Sequence, residues 1–129
     1  MKSTNFVMAT MIAVMLVARL VLAQVSVAGD PVEGKRIFGR ICSTCHSVHP
    51  AKHYIGPSLF GVVGRHVGRE PGYHYSKADL SADLVFDPET LDRYITSPRG
   101  VIPGTAMTYY GIKNPKTRAD VIAYLATLH

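Results

Sequence analysis

Apolar residues are distributed in two unlike ways along the 129-residue chain. From Phe6 to Ala18 they form an almost unbroken run, which Arg19 interrupts and Leu20 to Ala23 resume. Beyond residue 28 they recur at helical intervals between polar, Gly- and Pro-rich loops. Asp30-Pro31-Val32-Glu33 has the form of a helix start: an N-cap, Pro at the first position and an acid at the third. Gly34, Phe38 and Cys42 follow at steps of four and share a face. Ser76 with Asp79 marks a short helix. Asp87-Pro88 opens another, with Leu91, Tyr94 and Ile95 along one side, and Ser97-Pro98 stops it. Thr117 with Asp120 reads as the cap of a last helix carrying Val121, Ile122, Leu125 and Leu128. No segment alternates as a strand does, so the expected fold is all-α, a small single domain with long ordered loops. The loop from His49 to Tyr75 is too long for so small a domain unless it wraps a ligand.

The N-terminal run changes the accounting of what folds. One early charge, Lys2, an apolar stretch and a small-residue exit describe a secretory signal peptide over residues 1–28, released after Ala23 or after Ala28. The domain then spans 29–129. An uncleaved anchor is the alternative, but a spanning helix needs about 20 apolar residues and Arg19 sits badly in one. Loss of Lys2 and Arg19 takes the formal charge from +5 to +3. No dense Lys/Arg stripe remains, which excludes nucleic-acid binding by charge. A chain of this size buries a modest core, and a bound group at its centre would enlarge it.

The chemistry is concentrated in Cys42-Ser43-Thr44-Cys45-His46, the C-x-x-C-H pattern of covalent haem attachment. Two thiols at this spacing reach the two vinyl groups of one porphyrin, and the adjacent imidazole is brought to the iron. A dithiol redox pair would require a thioredoxin-like alternation of strands and helices, which is missing. A disulfide would close only a tiny loop and would leave His46 without a role. A zinc site would want further Cys, and the chain has only these two. For the other face of the iron, four of the five Met lie in the leader, leaving Met107 after Ile102-Pro103-Gly104-Thr105-Ala106. A thioether opposite His raises the haem potential, as electron transfer wants. His49, His53, His66, His74 and His129 are the alternative ligands.

A longer series of residues accompanies these. Gly34 and Phe38 precede Cys42, Cys45 and His46; Gly56-Pro57-Ser58-Leu59, Gly61, Arg65 and Gly68 follow. Then come Pro71-Gly72-Tyr73-His74-Tyr75-Ser76, Leu91, Tyr94, Pro98, the Ile102-to-Met107 loop and Tyr124-Leu125. In this order and spacing the sequence resembles the mitochondrial cytochrome c and bacterial cytochrome c2 family over nearly all of residues 29–129. The resemblance implies a cytochrome c fold, helices and ordered loops wrapped around one covalent haem c. It implies that the Pro57 carbonyl accepts from His46 Nδ1, that Arg65 and Tyr75 bind a haem propionate, and that Tyr94 and Thr105 form a polar network beside Met107. Three positions depart from the family pattern. Phe86 stands where a Trp usually donates to a propionate, Tyr109 replaces the common Phe, and Arg99, Gly100 and Ala106 thin the lysines around the haem edge.

The expected function is outer-sphere transfer of one electron, with iron cycling between Fe(II) and Fe(III) and both axial positions filled. No catalytic residue and no enzyme activity are expected. A haem peroxidase or gas-binding cytochrome would need an open sixth position, against which the Met107 loop argues. A fixed haem subunit of a dehydrogenase or oxidase shares the chemistry but needs a stable partner. The expectation is a periplasmic monomer that docks transiently with a redox donor and acceptor, touching membranes only through partner complexes. Arg36, Arg40, Lys52, Arg99, Lys113 and Lys116 are candidates to ring its docking surface.

Overall fold

The computed structural model describes residues 28–129; the leader expected over 1–28 lies outside them but for its last residue. Five helices occur among the described residues: α1 (Pro31–Ile41), α2 (Lys77–Ser81), α3 (Pro88–Thr96), α4 (Pro98–Val101) and α5 (Pro115–Leu125). Among the described residues no strand forms; one antiparallel bridge joins His66 to Val85. None of these helices is long and apolar enough to cross a membrane.

The starts of the helices are set by short polar side chains. Asp30 accepts from the Val32 and Glu33 N–H groups at the head of α1. Ser76 Oγ accepts from Asp79 N–H at 3.1 Å and donates to the Asp79 carboxylate at 2.6 Å. Asp87 accepts from Thr90 N–H at 2.7 Å at the head of α3. These side chains satisfy N–H groups that a helix cannot pair internally. The last helix differs from expectation. Its N-cap is Asn114, which accepts from Thr117 N–H at 3.0 Å, and Pro115 occupies the first turn. Pro there loses no hydrogen bond and arrives with helical φ, so Asn-Pro outcompetes Thr117 as the start. Pro98, expected only to end α3, also begins the single turn α4.

Helices α1 and α5 make the most extensive helix contact of the described chain. They meet at Gly34, where an added Cβ would lie 1.9 Å from the Asp120 carbonyl oxygen and 2.9 Å from Tyr124 Cβ. Phe38 packs on Tyr124 with ring centroids 5.5 Å apart. Ile37, Val62, Ile112, Val121 and Leu125 complete this buried cluster, and Cys42, Val48, Leu59 and Phe86 pack against it. Asp120, expected as part of a cap for α5, instead accepts from the Asp30 N–H at 2.7 Å and pairs with Lys116. One carboxylate thus locks the head of α1 to α5 across 90 residues of sequence.

Candidate haem site

The crossing of α1 and α5 fixes where α1 ends, and the site begins there. Cys42 is the C-cap residue of α1, its N–H bonded to Phe38 O at 2.8 Å. The next turn continues through Cys45 N–H and His46 N–H, both bonded to Cys42 O, at 3.0 and 2.9 Å. The two thiols and the imidazole are therefore delivered together by one helical end. Cys42, Cys45 and His46 are all half-buried. Burial, and to a lesser degree the neighbouring Cys45, pushes the unmodified Cys42 thiol up to about 11. Before any thioether forms, burial therefore favours the thiol over the thiolate at neutral pH.

His46 is held from behind. Its Nδ1 lies 2.8 Å from the Pro57 carbonyl oxygen. A carbonyl only accepts, so Nδ1 carries the proton and Nε2 is left with its lone pair. Burial pushes the imidazole below its ordinary value, and the hydrogen bond to Pro57 acts the other way. The ring is thus kept neutral, the state in which it binds metal. The segment carrying Pro57 is tied down by Gly56 N–H to Cys45 O at 2.7 Å, Leu59 N–H to Ser47 O at 2.9 Å, and Ser58 Oγ to His49 O at 2.7 Å. Gly56 passes so close that an added Cβ would lie 2.3 Å from His46 Cε1. Only glycine leaves room for the imidazole there.

The Met107 loop is organised by Thr105, which is buried. Its Oγ1 accepts from Met107 N–H at 3.3 Å and lies 3.1 Å from the Tyr94 hydroxyl. Tyr94 is brought by α3 and packs its ring on Phe86, centroids 5.0 Å apart. Burial pushes the Tyr94 phenol above its ordinary value, opposed by the bond to Thr105, so it keeps its proton. Gly104, at φ +89°, turns the loop, and its missing Cβ would sit 3.1 Å from Ala78 Cβ of α2. Met107 itself is half-buried in this loop and belongs to no helix.

Arg65 and Tyr75 come together around a residue that sequence reasoning did not single out. Arg65 donates to Phe60 O at 2.9 Å and Ser58 O at 3.0 Å, and forms an ion pair with Glu70. The Glu70 N–H donates to the Tyr75 hydroxyl oxygen at 3.2 Å. Pairing of residues 64–67 with 84–86, through Gly64, Val67 and Phe86 N–H groups, positions Arg65. Nothing in spacing marks Glu70, five residues from Arg65 in an irregular loop.

The expected alternative ligands are dispersed. His53 has both ring nitrogens engaged, Nε2 donating to Pro71 O at 3.0 Å and Nδ1 accepting from Ser58 N–H at 3.1 Å. His49, His66, His74 and His129 are exposed. Of the candidate docking cations, Arg36 pairs with Glu33, Lys116 with Asp120, and Lys113 donates to Thr96 O at 2.7 Å. Lys52 lies over the Tyr54 ring at 5.6 Å from its centroid.

The donor set fits a haem: two thiols and a neutral imidazole on one turn, with a thioether on a separate ordered loop. A Cβ-free residue makes space for the imidazole. Comparison with known proteins agrees. The cytochrome c family model matches residues 31–129. The chain is 52% identical over 100 residues to cytochrome c2 of Rhodopila globiformis, covering 78% of this chain and 94% of that one. It is 50% identical over 103 residues to cytochrome c2 of Rhodomicrobium vannielii, covering 79% and 82%. Cytochrome cH from Methylobacterium extorquens superposes with a TM-score of 0.72 at 38% identity, covering 77% of this chain and 99% of that chain. The chain belongs to the cytochrome c family of small all-α proteins with one covalent haem c. It is an electron-transfer protein, not an enzyme.

Proposed function

We propose that Cys42 and Cys45 carry the two thioether bonds, and that His46 and Met107 are the axial ligands of a single haem. The bound haem supplies a reversible one-electron Fe(III)/Fe(II) couple. Around it the chain holds and insulates. Pro57 orients His46 and strengthens it as a donor through the Nδ1 hydrogen bond. Thr105 and Tyr94 hold the Met107 loop, and Arg65 and Tyr75 receive a haem propionate. The observation that carries this reading is the 2.8 Å bond from His46 Nδ1 to Pro57. It leaves Nε2 as a bare donor one residue from Cys45.

The leader pattern supports export, cleavage after Ala23 or Ala28, and work in the periplasm. There residues 29–129 act as a freely diffusing monomer that docks transiently with a donor and an acceptor. Protein matured in a haem-attaching, export-competent host should have the mass of a polypeptide beginning at Gln24 or Gly29 plus one haem. An apo mass removes the attachment, and a retained leader removes the cleavage. The oxidised protein should show the weak near-infrared sulfur-to-iron band. Met107→Ala should abolish it and open the iron to carbon monoxide or cyanide. An unchanged spectrum and potential would make a His the sixth ligand.

A further inference from the structure

The surroundings of Arg65 carry one step more, which rests on the reading that Arg65 and Tyr75 face a haem propionate. A guanidinium has five N–H donors. In Arg65 one Nη1 proton goes to Phe60 O, the other to the Glu70 carboxylate, and one Nη2 proton to Ser58 O. Among the described residues nothing accepts from the Nε–H or the second Nη2–H. Tyr75 spends its oxygen as acceptor for the Glu70 N–H, which leaves its own O–H proton free to donate. Burial pushes this phenol above its ordinary value, so the proton is retained. The cluster therefore offers donors to an incoming carboxylate, but its charge is already balanced. The Glu70 side chain is 8% exposed and that of Arg65 17%, so the pair is poorly screened by solvent.

We infer that Glu70 is a positioning residue that sets the reduction potential by neutralising Arg65. The guanidinium orients the propionate through its free N–H groups without cancelling its charge. Negative charge left beside the haem favours the ferric over the ferrous state, because reduction removes one positive charge from the iron. A lone Arg at this place would favour the ferrous state instead. Phe86, which has no N–H to contribute, leaves the propionate more dependent on this one cluster.

The test uses the haem-loaded protein, with loading checked by mass. Glu70→Gln keeps the shape and an acceptor while removing the charge; Glu70→Asp keeps the charge and disturbs the packing. Midpoint titration should show Glu70→Gln shifted toward the ferrous state by about three- to tenfold in the reduction equilibrium, the size of one partly screened interior charge. Glu70→Asp should stay near the parent, whatever it loses in thermal stability. Glu70→Ala, a second neutral variant, should move the same way as Glu70→Gln. As a readout apart from potential, the nitrogen resonance of Arg65 Nε should move in Glu70→Gln as the propionate takes over the guanidinium. Equal shifts in Glu70→Asp and Glu70→Gln would overturn the charge argument. If Arg65→Gln shifts the potential toward the ferric state and Glu70→Gln leaves it unmoved, the inference fails while the role of Arg65 stands. If neither variant moves it, the propionate reading itself fails.

Discussion

His46 owes its competence to two neighbours that contribute no chemistry of their own. Pro57 supplies a carbonyl, which fixes the tautomer, and Gly56 supplies space. The space is the more exacting of the two, since a methyl group at residue 56 would stand 2.3 Å from Cε1 and within 3 Å of both ring nitrogens. The ring is held by a short covalent segment from Cys45 and cannot retreat far. Gly56→Ala should therefore push the imidazole off its hydrogen bond, destabilising the loaded protein by about 1–3 kcal/mol, as overpacked sites do. The loss would be read by thermal melting, together with a changed Nδ1–H proton resonance. An unaltered resonance and melting temperature would show that the Gly56 segment yields more easily than its hydrogen bond to Cys45 suggests. Gly56 was among the residues of the family resemblance, but its reason becomes visible only with the ring beside it.

At the scale of helices, the α1–α5 crossing determines where the Cys42–His46 turn is presented. Gly34 permits the approach and Asp120 locks it. The Lys116 ammonium, and next the Asp30 N–H, hold the Asp120 carboxyl below its ordinary range. Its value in the folded chain lies below that of the unfolded chain, so the unfolded state binds more protons as pH falls between the two. This contribution to stability is complete above the ordinary carboxylate range and is lost as pH drops through the folded value. Asp87 behaves alike, held down chiefly by the Thr90 N–H. Urea midpoints followed from about pH 7 to pH 3, across the carboxylate range, should fall in the parent. In Asp120→Asn, which keeps an acceptor for Asp30 N–H, they should fall less steeply. Identical slopes would place the acid sensitivity elsewhere, such as at Asp87 or at the haem ligands.

For the molecule as a whole, charge bears on how partners are met. The formal charge of +5 becomes +3 without Lys2 and Arg19, and two haem propionates bring it near neutrality. Part of the remaining basic charge is paired locally, Arg36 with Glu33, Lys116 with Asp120 and Arg118 with Asp92. Steering by a basic ring acts on association and fades with salt. The rate of reduction by the native partner should therefore depend only weakly on ionic strength. Arg40→Glu and Arg99→Glu, at exposed positions, should slow it only modestly. A steep fall with salt that these reversals erase would show strong steering. Rapid turnover of peroxide by the intact protein would contradict the electron-transfer role itself.

Local order along the chain was enough to determine three of the four expected helix starts, the C-x-x-C-H pattern and the sole Met beyond residue 28. Each of these is written within a few residues: a cap bonds two or three positions on, and two thioethers and an imidazole must come from one turn. The start of α5 was misplaced for the same local reason, because Thr117 with Asp120 imitates a cap that Asn114-Pro115 provides. Tertiary structure alone decided what Asp120, Glu70 and Gly56 do. Asp120 meets Asp30 across 90 residues. Glu70 meets Arg65 only because the 64–67 and 84–86 segments pair. Gly56 meets His46 because hydrogen bonds from Gly56, Ser58 and Leu59 fold its loop back. Contacts of this kind are fixed by chain closure, which no spacing of residue types records. They are formed only when the helices and loops pack together.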